Sequence, residues 1–443
     1  MYQAIIAPLK NVRKHPNADR VQLATVVGNQ VVVGLDNSEG QMGIFFPSDG
    51  ALSKDMLVTN RLYQTHPDTG EKMGGYFDKN GRVRDQKFRG EISEGFWCPL
   101  SFVEWTGIKT DVLSENYTFT ELNGKSVCFK YIPKASRRSL SSEKHKNKIS
   151  SLWKKRLAKE KKYPLFKEHF ETKQIRFCSG QIPVGALIHI SSKCHGTSMR
   201  FSYTFSRKEL SLPKLIWNRV AEKIGGPKFE EREYSYVSGT RRTILNHGER
   251  TFEDPFHGGN YREKYHKLLS SCGVRKGETI YGEIVGFTDT GASIMPPHST
   301  TKEPSVAKKY GEQILYTYGC NAEDPLKQNR LFIYRITQTN EDGDVYELPW
   351  GQVVERCNKM GLETVHVYET FFYDGNFDAL LEKCEKLTQG PDPLDPRHIR
   401  EGVCVRYESQ SGTDILKHKG WLFKLFEGIA KDNDNYQDVE DLL

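Results

Sequence analysis

Long hydrophobic runs are missing from this chain of 443 residues, since no stretch of about 18 consecutive apolar residues occurs in it. A membrane-spanning helix is therefore not predicted. The opening stretch, MYQAIIAPLKNVRKHPNADR, also lacks the sustained apolar core of a secretory signal, so export is not expected. With 37% apolar and 27% charged residues, the composition indicates a soluble globular protein, and the length favours two or three domains.

Paired cysteines are missing as well. The nine cysteines are odd in number and widely spaced, and none of them forms a Cys-x-x-Cys motif. A zinc knuckle and a disulfide framework are both disfavoured by this spacing. The cysteines fit a reducing compartment, which predicts a cytoplasmic location and leaves the nucleus open.

The positive charge of the chain is concentrated in one segment. The net charge is +7, but residues 134–162 contain twelve Lys or Arg against two Glu, a local charge of +10, so the rest sums to −3. Concentrated basic charge attracts polyanions such as nucleic acids. A solvated linker is an equally good interpretation of this segment taken by itself.

The chain divides into four regions by composition. Residues 1–115 contain short Val-rich and aromatic runs with turn signals, which predict a small barrel or sandwich. Residues 116–180 form a basic connector, in which SLWKKRLAKEKK has the composition of a short basic helix. In residues 181–428 strands and helices alternate, and residues 429–443 form an acidic tail.

Two helices are predicted with defined ends in the third region. NFDALLEKCEKLTQGP has apolar residues at helical spacing, with Asn376 as an N-cap and Gly390 and Pro391 as a stop. WGQVVERCNKMG shows the same spacing from Trp350 to Cys357.

An apolar strand, ALIHISSKCHGTS, carries Lys193 at its end and is followed by a glycine and two hydroxyls. Lys193 alone is either a solvated charge or a nucleophile. Strand periodicity places Glu283, Glu401 and the pair Lys417 and Lys419 on single faces of apolar strands. Buried carboxylates and lysines are costly unless they are paired or in use. Each residue has an ordinary structural interpretation, so their joint occurrence in this order carries the argument for catalysis.

The order of these motifs resembles that of the covalent nucleotidyltransferases, which comprise DNA ligases, RNA ligases and mRNA capping enzymes. KCHGTS at residues 193–198 resembles the Lys-x-His-Gly-Thr-Asn/Ser nucleophile motif of RNA ligases, whereas the other two groups carry Lys-x-Asp-Gly. The N-terminal β region, FKYIPK and SGTRR make the chain most similar to the Deinococcus-type RNA ligases. The resemblance implies an α+β protein, with an OB-type β-barrel followed by an ATP-grasp-like adenylyltransferase domain of antiparallel sheets and helices.

By this resemblance, Lys193 accepts AMP from ATP as lysyl-AMP, the AMP moves to a 5′-phosphate end, and a 3′-hydroxyl then displaces it to seal the strand. A lysine with a pKa of about 10.4 is almost fully protonated near neutral pH, and neighbouring carboxylates raise its pKa further. Cations must therefore lie close to it.

The resemblance implies Mg²⁺ or Mn²⁺, held by Glu283 and Glu401 through water, with Lys417 and Lys419 gripping the α-phosphate and pyrophosphate. The other implied roles are adenine stacking by Tyr334 or Phe332, nucleotide contacts by Ser198 and Cys194, and binding of the nicked end by Arg241, Arg242 and His195. Two positions depart from the pattern: Ser192 stands where relatives commonly carry Glu, and Arg335 where many carry Asp.

The expected partner is RNA, as a nicked duplex or an RNA–DNA hybrid, and the expected state is a monomer. Two alternatives stay open. A GTP-dependent mRNA capping guanylyltransferase is disfavoured by His195 and by the absence of a second OB domain after Lys419. A non-catalytic OB-fold RNA-binding protein would bind RNA without taking AMP.

Overall fold

The structure of the chain is a computed structural model. The residues that it describes are 2–48, 50–131, 162–169, 172–178, 180–207, 210–229, 232–241, 243–245, 252, 259–428 and 430–432. The predicted basic helix SLWKKRLAKEKK apart from its last residue, Lys162, nearly all of the basic segment and the acidic tail beyond residue 432 lie outside these residues.

Short β-strands dominate the N-terminal region, as the Val-rich and aromatic runs predict. These strands are β1 Ala4–Pro8, β2 Lys10–Lys14, β3 Val21–Val26, β4 Asn29–Gly34, β5 Met42–Phe46, β6 Gly50–Leu52, β7 Asp85–Phe88, β8 Glu91–Ser93, β9 Phe96–Pro99, β10 Thr118–Phe119, β11 Glu121–Leu122, β12 Lys125–Ser126 and β13 Cys128–Lys130. Helix α1 (Lys54–Thr59) and 3₁₀ turns at Leu100–Thr106 and Thr110–Val112 lie among them.

The tightest connection in this region joins β3 to β4. Val26 pairs with Asn29, which leaves a two-residue loop of Val27 and Gly28. Both loop residues have positive φ, 47° at Val27 and 71° at Gly28. A two-residue turn whose twist matches that of the flanking strands requires positive φ at both positions. The adjacent Val-rich runs thus form a hairpin.

The N-terminal strands do not close into the expected barrel. Within the described residues they form a four-stranded sheet in the order β10-β1-β5-β9, a three-stranded sheet β2-β3-β4, and smaller pairs. A barrel needs one continuous ladder of hydrogen bonds from the first strand back to itself. Here the ladder is interrupted, since β6 pairs with β13 in a separate two-stranded sheet.

The larger region contains two extended sheets. Its strands are β14 Lys173–Gln174, β15 Leu187–Lys193, β16 Thr197–Arg207, β17 Arg232–Gly239, β18 Glu278–Gly286, β19 His298–Ser299, β20 Gln313–Ile314, β21 Asn329–Thr339, β22 Val345–Glu347, β23 Glu363–Thr364, β24 Val367–Phe372, β25 Gly402–Ser409, β26 Gly412–Lys419 and β27 Ala430–Asp432. One sheet has the order β14-β26-β25-β15-β24, and the other β17-β16-β18-β21-β22, with β23 beside β21.

Six α-helices belong to the described part of this larger region. They are α2 Leu212–Ile224, α3 Tyr261–Ser271, α4 Pro304–Tyr310, α5 Trp350–Met360, α6 Phe377–Thr388 and α7 Trp421–Phe426, with a 3₁₀ turn at Ile175–Phe177. None of the helices in the described part of the chain is both long and apolar enough to cross a membrane.

Both helices predicted with defined ends are confirmed. Helix α6 begins after Asn376, whose side chain accepts a hydrogen bond from the Ala379 amide at 3.0 Å, and it ends before Gly390. Helix α5 buries Trp350, Val353 and Cys357 on one face. Such capping and an apolar stripe are local signals that a sequence contains directly.

The N-terminal region is fixed to the larger one by buried ion pairs. Lys424 on α7 donates to Asp85 at 2.7 Å and to Glu94 at 3.0 Å, and Arg176 also pairs with Glu94. Strand β27 pairs in parallel with β7. The two regions therefore share an interface next to strand β26, which carries Lys417 and Lys419.

Candidate active site

A cavity of about 320 Å³ opens between the five-stranded and six-stranded sheets. Predicted site residues that line it are Lys193, Cys194, Ser198, Arg241, Glu283, Tyr334 and Lys417. The wall also includes His169, Thr172, His189, Ser191, Ser192, Gly196, Arg335, Trp350, Val365, Val367, Cys404, Arg406, Asp414 and Ile415.

The segment Cys194–Gly196 crosses from one sheet to the other, since Lys193 ends β15 and Thr197 begins β16. A β-carbon at Gly196 would lie 2.3 Å from the Ile284 carbonyl oxygen, so only glycine fits at this approach. The glycine of the motif therefore allows the segment after Lys193 to lie against β18, which carries Glu283.

Lys193 and Glu401 form a close ion pair. The Lys193 ammonium donates to Glu401 Oε1 at 2.6 Å, and Glu401 is 2% exposed. Burial lowers the pKa of Lys193, but Glu401, Cys404 and Glu283 raise it, and the net pKa lies above its ordinary value. Lys193 is therefore an ammonium ion in this structure, as neighbouring carboxylates dictate.

Glu283 faces the same cavity from β18. Its Oε2 accepts a hydrogen bond from the Ser198 hydroxyl at 3.3 Å. Burial raises the pKa of Glu283 to about 7, Lys193 counteracts part of this shift, and the charge on Glu401 adds to it. The two carboxylates thus repel each other, and the positive charge of Lys193 offsets part of that repulsion.

Strand β26 contributes two further lysines. Burial lowers the pKa of Lys417 to about 8, and the positive charges of Lys193 and Lys419 add to that shift. The Lys419 ammonium is paired with Glu427 at 2.6 Å and lies 3.6 Å from Glu401 Oε1. Lys417 therefore lines the cavity and loses its proton at a lower pH than a free lysine does. Lys419 is instead held by its contacts with Glu427 and Glu401.

A β-bulge separates the two aromatic candidates. Gly282 pairs with Ile333 and Tyr281 with Arg335, so Tyr334 is the extra residue of β21. Tyr334 lines the cavity, while Phe332 is 1% exposed and packs in the core beneath Arg330. Phe332 pairs with Glu283 along the backbone, but of the two aromatic residues only Tyr334 lines the cavity that Lys193 and Glu283 also line.

His195 lies behind the cavity wall. Its ring is 7% exposed and packs edge-on against Tyr316 at 4.8 Å and Phe423 at 4.9 Å between ring centroids. Its Nδ1 is 3.9 Å from Glu401 Oε2. Burial, together with His298, holds the pKa of His195 well below its ordinary value, so the ring is neutral.

Arg241 and Arg242 follow strand β17. Arg241 lines the cavity with an exposed side chain, and its charge contributes to the lowered pKa of Lys417. Arg242 lies outside the described residues. The structure therefore places one of the two predicted arginines at the cavity, on the side of Lys417.

The two departures from the motif pattern both line the cavity. Arg335 pairs with Glu347, which also accepts from Arg406 at 2.8 Å. Ser192 is buried, and its backbone amide donates to the His366 carbonyl at 2.8 Å. Arg335 therefore belongs to an ionic network that fixes the cavity wall at Glu347.

Two residues at the site carry no motif in the sequence. His169 Nε2 lies 2.6 Å from the Tyr334 hydroxyl, and its backbone amide donates to the Arg241 carbonyl at 3.1 Å. Arg262 on α3 donates to the Thr197 hydroxyl at 2.6 Å, and its charge offsets a small part of the rise that burial causes in the pKa of Glu283. Both come from distant parts of the chain, so no local spacing identifies them.

The donor set suits a hard cation that keeps most of its water. In the described part of the chain no group of three or more His, Cys, Asp or Glu side chains could hold a metal ion. Glu401 nevertheless has a buried carboxylate oxygen, Oε2, with no hydrogen-bond partner among the described residues. Mg²⁺ is commonly bound by one or two carboxylates together with substrate phosphates and water, and Glu283 and Glu401 fit that pattern.

Comparison with known proteins identifies the larger region. The family model described as RNA ligase matches residues 187–419, more than half of the chain and the whole span from β15 to β26. A comparison with curated proteins found no match.

Solved structures of an RNA ligase from Naegleria gruberi resemble the chain over nearly its whole length. A mutant with ATP and Mn gives a TM-score of 0.54 at 14% identity, covering 96% of this chain and 98% of that one. A mutant with AMP and Mn gives 0.55 at 13% identity, covering 95% and 98%. The protein with PPi gives 0.53 at 13% identity, covering 95% and 97%. These likenesses show a shared fold.

Proposed function

The chain belongs to the RNA ligase family, and we propose that it is an ATP-dependent RNA ligase that joins a 3′-hydroxyl RNA end to a 5′-phosphate end. One observation carries the proposal. Lys193, which is paired with the buried Glu401, lines a cavity that Glu283, Lys417 and Tyr334 also line. A nucleophile, two carboxylates, a phosphate-binding cation and an aromatic ring together match the needs of adenylyl transfer from ATP.

Lys193 is the nucleophile, and its Nζ forms a bond to the α-phosphorus while the bond to pyrophosphate breaks. The amine must first lose its proton and its contact with Glu401, since an ammonium ion has no free electron pair. A divalent cation bound by Glu283 and Glu401 through water would neutralise both carboxylates and so favour the neutral amine. The ATP and Mn complexes of the Naegleria gruberi ligase support this choice of nucleotide and ion.

Each remaining residue has a defined task in this proposal. Lys417 and Lys419 neutralise the α-phosphate and the departing pyrophosphate, and Tyr334 stacks on adenine. Ser198 and Cys194 contact the nucleotide. His195, which lies beside Glu401, orients that carboxylate. Binding of the nicked end is assigned to the two arginines alone.

The RNA side of the proposal rests on charge and on the N-terminal region. Exposed Arg241 at the cavity edge, with Arg242 beyond the described residues, binds the end that receives AMP. The N-terminal strands, which we assign to an OB-related nucleic-acid-binding region of a Deinococcus-type ligase, hold a nicked duplex together with the basic segment 134–162. Nine free cysteines suit a monomer in a reducing, cytoplasmic compartment.

Covalent labelling tests the first step. Incubation with ATP radiolabelled at the α-phosphate and Mg²⁺ or Mn²⁺ should label the wild-type protein, and Lys193→Arg should take no label because a guanidinium is not a nucleophile at neutral pH. Lys359→Arg, on the exposed face of α5, is the matched control and should label fully. A wild-type protein that stays unlabelled contradicts the proposal and favours a non-catalytic RNA-binding protein.

Two further assays separate the alternatives. Labelling by GTP in place of ATP would indicate a capping guanylyltransferase. Sealing of nicked duplexes with RNA or DNA on either side of the break would define the substrate. Equal sealing of all-DNA nicks would contradict the assignment to RNA repair.

A further inference from the structure

A strained turn precedes strand β21. The Cys320 amide donates to the Thr317 carbonyl at 2.9 Å, and both central residues have positive φ, 51° at Tyr318 and 79° at Gly319. Glycine adopts this region readily, but a bulky aromatic residue rarely does. Such strain persists where the surroundings determine the conformation, and it concentrates at functional sites.

The surroundings of this turn satisfy its polar groups. The Tyr318 amide lies 3.3 Å from His398 Nε2, and the Gly319 amide donates to Asp395 at 2.9 Å. The Thr317 hydroxyl also donates to Asp395, and Arg330 donates to the Tyr318 carbonyl at 3.2 Å. The turn is therefore held rigidly, with the Tyr318 ring fully buried.

The one polar atom of the Tyr318 side chain points to the nucleophile segment. Its hydroxyl accepts a hydrogen bond from the His195 backbone amide at 2.6 Å. His195 is the middle residue of the crossing segment that links Lys193 on β15 to Thr197 on β16. A rigid turn thus holds the residue two positions after the nucleophile.

We propose that Tyr318 is a positioning residue of adenylyl transfer, because its hydroxyl fixes the crossing segment and with it the direction of the Lys193 side chain. The inference rests on the proposed function of Lys193. Attack on phosphorus demands near-linear alignment of the amine with the departing pyrophosphate, so a small shift of the segment lowers the rate without weakening nucleotide binding.

The test compares two neighbouring tyrosines in the full-length protein. Tyr318→Phe removes the hydroxyl that holds His195, whereas Tyr316→Phe removes a buried hydroxyl that lies 3.4 Å from His298 Nδ1. Tyr316 also packs against the His195 ring, so it controls for changes in packing. The measurements are the rate constant of covalent labelling, the KM for ATP, and hydrogen–deuterium exchange over residues 193–197.

For Tyr318→Phe we expect about a tenfold lower rate constant, a KM for ATP within about twofold of the wild-type value, and faster exchange at His195. Tyr316→Phe should match the wild type in all three. An unchanged rate or unchanged exchange in Tyr318→Phe overturns the inference, as does an equal loss in Tyr316→Phe. A wild-type protein that takes no AMP overturns the proposed function, and exchange then decides by itself whether Tyr318 fixes the segment.

Discussion

The two sheets that enclose the cavity contribute different chemistry. The five-stranded sheet supplies positive charge and the proposed nucleophile, and the six-stranded sheet supplies a hydroxyl, a carboxylate and an aromatic ring. The residues of the first are Lys193, Lys417 and Lys419, with Glu401 just before β25, and those of the second are Ser198, Glu283 and Tyr334. In the proposed function, this difference places most of the phosphate chemistry on the first sheet and recognition of the nucleoside on the second, while both sheets contribute a carboxylate to cation binding.

This division of chemistry between the two sheets leads to a general expectation about kinetics. Changes at Lys193 and Glu401 should act mainly on the rate of adenylyl transfer, since both residues meet the reacting groups, whereas Lys417 of the same sheet should also contribute to ATP binding. Changes around Tyr334 in the six-stranded sheet should act mainly on the KM for ATP, since stacking on a base is the same before and during the reaction. Four experiments, each with its own control, test this division.

The largest effect is expected for Glu401→Gln. The variant loses the charge that pairs with Lys193 and that would orient water on a cation, so the labelling rate should fall about 100-fold. Glu369→Gln, on strand β24 of the same sheet, breaks a half-exposed pair with Lys383 of α6 and should stay near the wild type. A loss confined to the KM for ATP would contradict the assignment of this sheet to phosphate chemistry.

Tyr334→Leu should show the opposite pattern. Removing the ring costs the stacking energy of a base, roughly 1–3 kcal/mol, so the KM for ATP should rise about 20-fold with little change in the maximal rate. Tyr334→Phe, which keeps the ring, should lose far less. A fall in the maximal rate with an unchanged KM would place Tyr334 among the residues that act on phosphate.

A pH dependence should distinguish Lys417. Because burial and the neighbouring lysines lower its pKa to about 8, it is mostly charged at pH 7 and mostly neutral at pH 9. ATP binding measured without metal should therefore weaken about tenfold over this range, as one phosphate contact loses its charge. Lys417→Arg keeps its charge at both pH values, so its ATP binding should change much less. Equal pH dependence of the two proteins would contradict this role.

The smallest effect is expected at His169, which contacts the Tyr334 hydroxyl. Loss of a single hydrogen bond costs about 1 kcal/mol, so His169→Ala should raise the KM for ATP about fivefold. His169→Gln retains a donor and an acceptor and should recover part of that loss. In a Tyr334→Phe background His169→Ala should add little, because the shared bond is already gone. Additive effects would show that His169 acts on its own.

Local signals predicted much of the larger region. The N-cap Asn376 and the apolar spacing after Trp350 defined two helices that the structure contains. Alternation along the strands placed Glu283 and Lys417 on single strand faces, and both residues line one cavity in the structure. These features depend on residues within a few positions of each other, which is why a single sequence contains them.

Long-range pairing explains what the sequence did not predict. The bulge that separates Tyr334 from Phe332 arises from the pairing of β21 with β18 and has no mark in the run LFIYRIT. His169 and Tyr318 reach the site from residues far along the chain. The expected barrel was wrong for the same reason, since closure depends on which strands meet across many residues.

The ion pair of Lys193 and Glu401 has a consequence for the unliganded protein. A neutral amine in an open cavity reacts with any acyl donor or aldehyde that enters, whereas an ammonium ion does not. In the proposed function, Lys193 holds its proton against Glu401 and so does not react with such electrophiles until nucleotide and cation bind. Amine-directed reagents should therefore spare Lys193 in the resting protein while they modify exposed lysines such as Lys359.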